Sequence, residues 1–364
     1  MVWPSSMESG IIMTGSARAL LPLLCFTLIH CSPATDPGGD PVLTDLEFMS
    51  IETSDSDATR TLQSLKREGD HFLLTFYGDY RARLDSLNDR VVQYGIGSIL
   101  PNGEYPSACS IFSGLGNTEQ PFFGRNLDNS PDRAVLVGRY DPPDGYASIA
   151  VSNMVDMGFN RGDDPTQVPL EDRQLLLNAV IFPTDGINER GLSIALASVN
   201  AVQIVRSGER KSVCVSYLLR EVLDQAATVE EAIAIIEDRD VFDMDINTLS
   251  HHFLVADAGG NSAIAEYRGG TWRIMRNERA WQVVTNSFLY NHTEEQRRNQ
   301  CGRYRRADNY LSDRVGTVTW QEGMRTLELM SEPRTQWSAV YDLAERIMYI
   351  SLYRRYGRTG VVRF

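Results

Sequence analysis

The chain of 364 residues is poor in cysteine and in positive charge, and both shortages exclude classes of protein. Its five cysteines include no Cys-x-x-Cys pair, so neither a disulfide framework nor a cysteine zinc site is expected. The neighbouring His251 and His252 have no partner at metal-ligand spacing, which also argues against structural zinc. The formal net charge is -13, and no run rich in lysine or arginine occurs. A nucleic-acid partner is therefore not expected.

Long hydrophobic runs are also scarce, and the clearest one lies near the N-terminus. Residues 19–29 follow Arg18 and are too few to span a membrane as a stable helix, but they are typical of a signal peptide. The run ends at Leu28-Ile-His-Cys31, which resembles a lipoprotein cleavage box, although His30 stands where a small residue is expected. We predict a signal peptide over residues 1–31 and export, either as a protein anchored at a lipidated Cys31 or as a periplasmic or secreted one.

The next part of the chain, residues 32–108, is predicted to be a linker followed by a propeptide segment. Two helical stretches are expected in it, at Asp57 to Glu68 and at Asp79 to Val92, with an apolar run at residues 71–77 between them. If the chain is cut before Cys109, this segment becomes a propeptide or a separate small chain.

From Cys109 onward the pattern changes to strands, and residues 109–364 are predicted to form one domain. Two successive helices are expected over residues 211–239, the second starting at the capping box Thr228 to Glu231, and an arginine-rich helix over residues 294–312. Strands are expected at 109–112, 134–140 and 191–199, in a meander at 252–256, 262–267, 272–275 and 281–285, and near 338–341 and 348–353. This order predicts an α+β layered domain.

Cys109 is the candidate nucleophile of this domain. It begins a predicted strand after Ala108, and Phe123-Gly-Arg-Asn-Leu-Asp128 follows in the next apolar stretch. A cut between Ala108 and Cys109 would give one residue both a thiol and a free α-amine. A thiol with a pKa of about 8.5 can pass its proton to an amine with a pKa of about 7.7 to 8 near neutral pH, so no distant histidine is required. The alternative is a buried, inert cysteine.

Taken together with other motifs, these residues resemble the choloylglycine hydrolase and penicillin V acylase group of N-terminal nucleophile (Ntn) hydrolases, especially its linear amide C-N hydrolase branch. The resemblance implies an α+β four-layer αββα sandwich with antiparallel sheets, autocatalytic cleavage before Cys109, and hydrolysis of a small-molecule N-acyl amide through a thioester. It implies no metal and no cofactor, and relatives are often homo-oligomers. The motifs are Cys109-Ser110, Gly124 to Asp128, Asp141 to Tyr146, Asp185 to Leu192, Asp257 to Ser262, Thr285-Asn286, Arg303-Tyr304 and Gln336 to Tyr341.

The resemblance also implies roles for two residues that follow Cys109. Arg125 matches the arginine beside the thiol, where a permanent positive charge would lower the thiol pKa and help to hold the substrate. Asp128 matches the aspartate that accepts a hydrogen bond from the free α-amine and orients it. The alternatives are a surface Arg-Asp pair or an Asx-turn before Pro131.

Two more catalytic residues are implied in the second half of the chain. Asn286 matches the asparagine whose side-chain amide donates to the oxyanion of the tetrahedral intermediate, and its alternative is a turn residue at a strand end. Arg303 matches the arginine that completes the polar network around the nucleophile. Its neighbours Arg305 and Arg306 complicate the assignment, because an arginine-rich helix is more often a solvated face.

The chain departs from the family pattern in residues 191–200. The bile-salt and penicillin enzymes have an asparagine or tyrosine near the position of Ser198, and here Ser198 or Asn200 is expected to supply that substrate contact. Asn188 is expected to shape a hairpin turn. A bridge between Cys214 and Cys301 is compatible with an oxidising compartment, but spacing in the sequence does not decide it.

Two rivals to the amidohydrolase hypothesis stay open at this point. One is an acyltransferase of the same fold, in which an amine or alcohol, rather than water, resolves the acyl-enzyme. The other is a non-catalytic envelope lipoprotein that binds a small ligand and keeps Cys109 internal and unprocessed. The identity of the amide and the oligomeric state are not decided by these patterns.

Overall fold

The computed structural model describes residues 41–100, 108–129, 134–243 and 245–364, so the predicted signal peptide and Cys31 lie outside the described residues. The strands are β1 (Val42–Asp45), β2 (Lys66–Glu68), β3 (His71–Phe76), β4 (Ala108–Gly114), β5 (Phe122–Asp128), β6 (Val135–Tyr140), β7 (Ser148–Asn153), β8 (Asp185–Asn188), β9 (Ser193–Gln203), β10 (Lys211–Cys214), β11 (Arg239–Phe242), β12 (Thr248–Ala256), β13 (Ser262–Arg268), β14 (Thr271–Arg276), β15 (Trp281–Val284), β16 (Thr335–Asp342), β17 (Ile347–Leu352) and β18 (Arg358–Arg363). The α-helices are α1 (Asp57–Gln63), α2 (Arg81–Tyr94), α3 (Val215–Gln225), α4 (Val229–Glu237), α5 (Glu294–Gln300), α6 (Gly302–Ser312) and α7 (Trp320–Met330), and 3-10 helices span Ile96–Ser98, Met154–Met157 and Leu170–Ile181. Among these helices, none combines the length and the apolar character needed to cross a membrane.

The strands form two large sheets. The seven-stranded sheet has the order β1-β18-β17-β16-β5-β4-β15, and the nine-stranded sheet has the order β14-β13-β12-β9-β8-β7-β6-β3-β2. The short strands β10 and β11 pair separately. Most neighbours in the large sheets are antiparallel, but β3 runs parallel to β6 and β1 runs parallel to β18. Both parallel pairs therefore involve the segment before Cys109.

Alternation along the strands divides the side chains between two cores. In β9, Ala195 and Ala197 face the seven-stranded sheet, whereas Ile194 and Leu196 pack with α3 and α4 on the other side. Helices α6 and α7 cover the outer face of the seven-stranded sheet. The layers are thus helices, sheet, sheet and helices, which confirms the predicted α+β four-layer sandwich.

Several local predictions need correction. The predicted helix from Asp57 ends at Gln63, because Ser64 closes it and Gly69, with φ +61°, makes the turn between β2 and β3. Residues 211–214 form strand β10 instead of the first turn of α3, since β11 pairs beside them. The second helix does start at the predicted capping box, where Thr228 and Glu231 bond reciprocally.

The end of the predicted meander is also wrong. Strands β12, β13 and β14 are consecutive antiparallel neighbours, but β15 crosses to the other sheet and pairs with β4, Val284 lying opposite Ile111. The predicted arginine-rich helix is interrupted at Cys301, which separates α5 from α6. Helix α7 was not predicted, and neither were strands β1, β5, β7, β8, β11 and β18. The crossing of β15 brings Asn286, two residues after its end, beside Cys109 near the start of β4.

Candidate active site

Cys109 lies near the start of β4, between β5 and β15, and its side chain is fully buried on the face that meets the nine-stranded sheet. The Nη2 atom of Arg125 lies 3.3 Å from the Cys109 sulfur. The backbone N–H of Cys109 donates to Oδ1 of Asn286 at 3.2 Å, and its carbonyl accepts from Nη1 of Arg303 at 3.2 Å. Three of the predicted catalytic residues therefore contact three different atoms of the predicted nucleophile.

Arg125 is held by a buried ion pair that joins the two sheets. Its Nη1 atom lies 2.8 Å from Oδ1 of Asp185 in β8, and both side chains are fully buried. Thr184 and Trp337 donate to the same Asp185 oxygen, and Tyr341 donates to Oδ2 at 2.5 Å. Breaking a buried pair of this kind leaves an uncompensated charge, so the guanidinium is fixed beside the sulfur. Sequence reasoning missed the role of Asp185, although Asp185, Trp337 and Tyr341 all belong to the quoted family motifs.

Arg303 is the member of the arginine-rich helix that reaches the cluster. It lies in the first turn of α6, its side chain is only 12% exposed, and its Nη1 atom lies 3.0 Å from Oδ2 of Asp128. Arg305 and Arg306 are exposed on the same helix. The helix therefore has a solvated face, as the alternative interpretation expected. Arg303 lies on the other side of the helix and contacts the cluster.

Asp128 lies in the cluster, but its contacts differ from the predicted ones. One carboxylate oxygen binds Arg303, and the other accepts from the hydroxyl of Thr335. The backbone N–H of Cys109, which would become the α-amine after cleavage, is directed to Asn286 in this continuous chain. The predicted bond between Asp128 and a free α-amine stays a prediction.

The orientation of the Asn286 amide follows from its neighbours. Its oxygen accepts from the N–H of Cys109 and, at 2.5 Å, from Nη2 of Arg303, so the nitrogen is on the other side. That nitrogen donates to the carbonyl oxygen of Ser198 at 2.8 Å. An amide nitrogen carries two hydrogens, so one remains to serve an oxyanion while Ser198 holds the other.

Burial dominates the acid-base properties of the cluster. It raises the pKa of the Cys109 thiol, although the guanidinium groups of Arg125 and Arg303 and the backbone N–H of Asp128 act in the opposite direction. Arg125 thus acts on the thiol pKa in the predicted direction, but burial outweighs it in the continuous chain. Burial also raises the pKa of Asp128 to about 6, against a hydrogen bond from Thr335 and the charge of Arg303. A thiol in this environment needs a proton acceptor before it can attack.

A buried pair braces the loop that carries Asn286. His252 faces the space between the sheets, with Nδ1 2.9 Å from Oε1 of Glu266 and Nε2 2.7 Å from the carbonyl oxygen of Thr285. Both ring nitrogens therefore face oxygen atoms, and the ring is held between Glu266 and the loop backbone. His252 and Glu266 are both fully buried, and sequence reasoning treated His252 only as a metal-ligand candidate.

Glu266 also fixes the loop directly. Its oxygens accept from the backbone N–H groups of Leu289 and Tyr290. Burial raises the pKa of Glu266, but the hydrogen bond and charge of His252 together with these backbone donors outweigh it and hold the pKa below its ordinary value. Glu266 and His252 together therefore anchor both ends of the loop around Asn286.

The two predicted substrate contacts are separate from the thiol cluster. Ser198 contributes its backbone carbonyl to Asn286, but its hydroxyl lies 3.2 Å from Nε2 of His251, whose Nδ1 lies 3.1 Å from Oδ2 of Asp243. Ser198 and His251 are paired across β9 and β12 on the face that packs against the helices. Asn200 is exposed two residues further along β9. Neither side chain is brought to Cys109 among the contacts of the described residues.

Two other predictions concern residues outside the cluster. Asn188 shapes a turn, as expected, because its Oδ1 accepts from the backbone N–H groups of Arg190 and Leu192. Cys214 and Cys301 are both free thiols, so the bridge considered from the sequence is not formed.

Comparison with known proteins identifies the same group of enzymes as the sequence motifs. Residues 177–354 match the family model of linear amide C-N hydrolases, choloylglycine hydrolase family, a range that contains Asn286 and Arg303 and begins after Cys109, Arg125 and Asp128. No match was found among curated proteins. Among solved structures, the chain is similar to a penicillin V acylase from Agrobacterium tumefaciens, with 20% identity and a TM-score of 0.49 over 67% of this chain and 83% of the acylase. It is also similar to a mutant conjugated bile acid hydrolase from Clostridium perfringens, with 16% identity and a TM-score of 0.49 over 67% of this chain and 89% of that one.

The family match agrees with the arrangement around Asn286 and Arg303. Its members act on carbon-nitrogen bonds of linear amides other than peptide bonds. Residues 177–354 of the chain are thus similar to the choloylglycine hydrolase family of linear amide C-N hydrolases.

Proposed function

We propose that this protein is a cysteine amidohydrolase of the N-terminal nucleophile type, which cleaves its own chain before Cys109 and then hydrolyses a small-molecule N-acyl amide through a thioester. The observation that carries the proposal is the convergence of Arg125, Asn286 and Arg303 on the sulfur, N–H and carbonyl of Cys109. An inert cysteine in the core is expected to pack against apolar side chains, whereas here two arginines and an amide surround its backbone and side chain. The surface-pair and turn interpretations of these residues fit this burial poorly.

Self-cleavage is the first step of the proposal. The Cys109 sulfur attacks the carbonyl carbon of Ala108, the carbon-nitrogen bond breaks, and the nitrogen takes the thiol proton and becomes the α-amine of Cys109. Water then hydrolyses the Ala108 thioester, which releases the Ala108 carboxylate and frees the thiol. The thiol has no exposed surface in the continuous chain, so its own peptide bond is within reach before any external amide.

Turnover uses the new amine as the acceptor that the buried thiol lacks. The amine takes the thiol proton, the sulfur attacks the substrate carbonyl, and the free hydrogen of the Asn286 amide, with a backbone N–H, stabilises the oxyanion. The amine then protonates the leaving amine, the thioester forms, and water attacks it with the α-amine as base. Asp128, held by Arg303, orients the protonated amine, and Arg125 stabilises the thiolate.

The substrate proposal is limited to its class. Bile-salt conjugates, penicillin V, acyl-homoserine lactones and N-acyl amines are the compounds to compare, and Ser198 and Asn200 are retained as proposed substrate contacts. For Ser198 the backbone carbonyl beside Asn286 is the better supported contact. A panel of these compounds, assayed for the released amine, would identify the preferred acyl group through kcat/KM.

The decisive experiment combines mass and activity. We expect the purified protein to yield a chain that begins at Cys109, detected by N-terminal sequencing and intact mass, and to hydrolyse at least one N-acyl amide. Cys109→Ala should remain uncut and inactive, while Cys214→Ala, which removes another buried free thiol, should behave like the wild type. Turnover by an uncut chain, or by Cys109→Ala, would contradict the mechanism. An uncut and inert wild type would favour the ligand-binding lipoprotein, and transfer to added amines in preference to water would favour the acyltransferase.

Export and assembly complete the proposal. We expect residues 1–31 to act as a signal peptide, with Cys31 as a membrane lipid anchor in a periplasmic or membrane-bound protein. Incorporation of labelled fatty acid into wild type but not into Cys31→Ser would support the anchor, and an unlabelled, secreted product would contradict it. Sedimentation of the mature protein would test the proposed homo-oligomer.

A further inference from the structure

We propose that the segment before Cys109 is not discarded after cleavage but stays in place as a second, non-covalently bound chain, so that the mature enzyme consists of two chains. This inference rests on the proposed cut between Ala108 and Cys109. It is carried by residues 41–100, which are built into both sheets and into the helical layer beside them.

The first contact is a strand pair at one end of the nine-stranded sheet, where β2 and β3 follow β6 in the strand order. In the nine-stranded sheet, β3 pairs parallel with β6, from His71 opposite Val135 to Phe76 opposite Tyr140. Leu73 and Leu74 are fully buried and belong to different cores, because adjacent residues of a strand point to opposite faces. Loss of the segment would leave β6 with an unpaired edge and would open both cores along that edge.

The second contact closes the other sheet. Strand β1 pairs parallel with β18, from Val42 opposite Arg358 to Asp45 opposite Val361. The next residue, Leu46, is buried against Gly360, where an added Cβ would lie 2.5 Å from the Leu46 Cδ1 atom. The glycine therefore makes the room that Leu46 fills, and one segment covers an edge of each large sheet.

The third contact is a buried polar cluster that is complete only with the segment. Tyr80 donates to Oδ1 of Asp224 at 2.8 Å, and Arg220 binds the same oxygen at 2.8 Å. Arg220 stacks over the ring of Tyr140 at 4.6 Å, and Asp224 and Arg220 are both fully buried. Removing Tyr80 together with its segment would take a donor away from a buried carboxylate and let water enter beside an apolar core.

The fourth contact replaces missing backbone partners. Asn88 in α2 is fully buried, its amide nitrogen donates to the carbonyl of Ser212 at 3.1 Å, and its oxygen accepts from the N–H of Cys214 at 3.1 Å. One side chain thus satisfies a donor and an acceptor of β10 as a neighbouring strand would. Buried backbone groups are nearly always paired, so β10 depends on the segment for this edge.

The apolar side chains of the segment are also buried in the core of the protein. Its buried apolar side chains are Leu46, Leu62, Leu65, Phe72, Leu73, Leu74, Phe76, Tyr80, Leu84, Val91, Ile96, Ile99 and Leu100. The remaining chain must stay folded if a propeptide is released. Release of this segment would instead expose the apolar surface that these side chains now cover. One consequence concerns attachment: a lipid anchor at Cys31 would be carried by the chain that lacks the nucleophile, and Cys109 would be tethered only through this interface.

The test uses the full chain as it processes itself. Protein that has completed cleavage is separated by size-exclusion chromatography in native buffer, and the active peak is then analysed by denaturing electrophoresis and intact mass. We expect two chains in equal amounts in one peak, separating only in denaturant. An active peak that contains only a chain beginning at Cys109 would overturn retention while leaving the cut intact. A single uncut chain would overturn the cut itself and with it the second chain, so the two failures are distinguishable.

A pair of variants measures the interface. In the cut protein, Asn88→Ala should lower the urea concentration at which the two chains separate, whereas Asp89→Ala, on the exposed side of the same helix, should not. In the uncut Cys109→Ala chain the effect of Asn88→Ala should not depend on protein concentration, because both parts are covalently joined, whereas in the cut protein dilution should increase separation. Equal midpoints for the two variants, or a midpoint of the cut protein that does not change with dilution, would contradict an interface between chains.

Discussion

Two clusters on opposite faces of the nine-stranded sheet each contain a nucleophilic atom with hydrogen-bonded partners, and only one of them fits a catalytic role. On the inner face, Cys109 is met by Arg125, Asn286 and Arg303. On the helix-facing side, the hydroxyl of Ser198 meets His251, which meets Asp243. The second arrangement has the atom pairing of a serine-histidine-aspartate triad, and its distances alone would suggest a nucleophile.

The surroundings separate the two clusters. Cys109 stands at the start of a strand, where a cut can create an amine, and its backbone N–H and carbonyl are already bound by polar side chains. Ser198 lies inside the continuous strand β9, and its own carbonyl is occupied by the Asn286 amide. We infer that the Ser198, His251 and Asp243 cluster fixes β9 behind the active site, and that hydrogen-bond geometry without a place for the oxyanion does not make a catalytic site.

The largest expected effect is on the nucleophiles themselves. Cys109→Ala should reduce kcat for an N-acyl amide by roughly 10⁴-fold or more, because no other group of the cluster can form the thioester. Ser198→Ala keeps the backbone carbonyl that holds Asn286, so it should retain most of the activity. Steady-state kinetics on the best substrate of the panel would measure both, and a Ser198→Ala variant as inactive as Cys109→Ala would reverse the assignment of the two clusters.

The next effect concerns the two asparagines proposed to serve the reaction. Asn286→Ala removes the oxyanion donor and the acceptor of the Cys109 N–H, and it should lower kcat by about 10²–10³-fold. Asn200→Ala, at an exposed position, should leave kcat unchanged and can alter only KM. A loss of kcat in Asn200→Ala would show that this end of β9 contributes to the chemical step.

A smaller effect separates the neighbouring histidines. In the uncut Cys109→Ala background, His252→Ala should lower the free energy of unfolding by about 3–5 kcal/mol, because it leaves the ionised Glu266 buried without its partner. His251→Ala should cost about 1–3 kcal/mol, since Asp243 keeps its hydrogen bonds from Ser250. Urea unfolding would compare them. Equal losses would mean that the contacts of His252 with Glu266 contribute no more to stability than those of His251 with Ser198 and Asp243.

Sequence reasoning could find the part of the site that local strand pairing creates. Arg125 and Asp128 follow Cys109 in the next strand, and the hairpin register puts Ala108 opposite Asp128 and Ile111 opposite Arg125. Any antiparallel pair of strands at this spacing would bring the thiol and the arginine together. The layered α+β class followed in the same way from the order of strands and helices.

Contacts across the sandwich could not be found in this way. Asn286 and Arg303 were predicted only through the family resemblance, because β15 crosses between the sheets and no periodicity indicates such a crossing. Asp185 bonds to Arg125 from the other sheet, and its motif had been interpreted as a hairpin turn. The role of the segment before Cys109 was left open for the same reason, since β3 pairs in parallel with β6, more than fifty residues further along the chain.

The smallest effect comes from the titration of Asp128. It should change stability and the rate of self-cleavage in opposite directions as the pH rises. Its pKa of about 6 in the folded chain is above its ordinary value of 3.8, so the folded state binds the proton more tightly than the unfolded one. The contribution of Asp128 to stability is therefore largest below pH 4 and is lost as the pH rises through 6. Self-cleavage should change in the opposite direction, because a protonated Asp128 no longer holds Arg303, so the cleavage rate should fall as the pH drops below about 6. Asp128→Asn in the uncut Cys109→Ala background should flatten the pH dependence of unfolding between pH 4 and 6, and an unchanged slope would mean that another carboxylate titrates there.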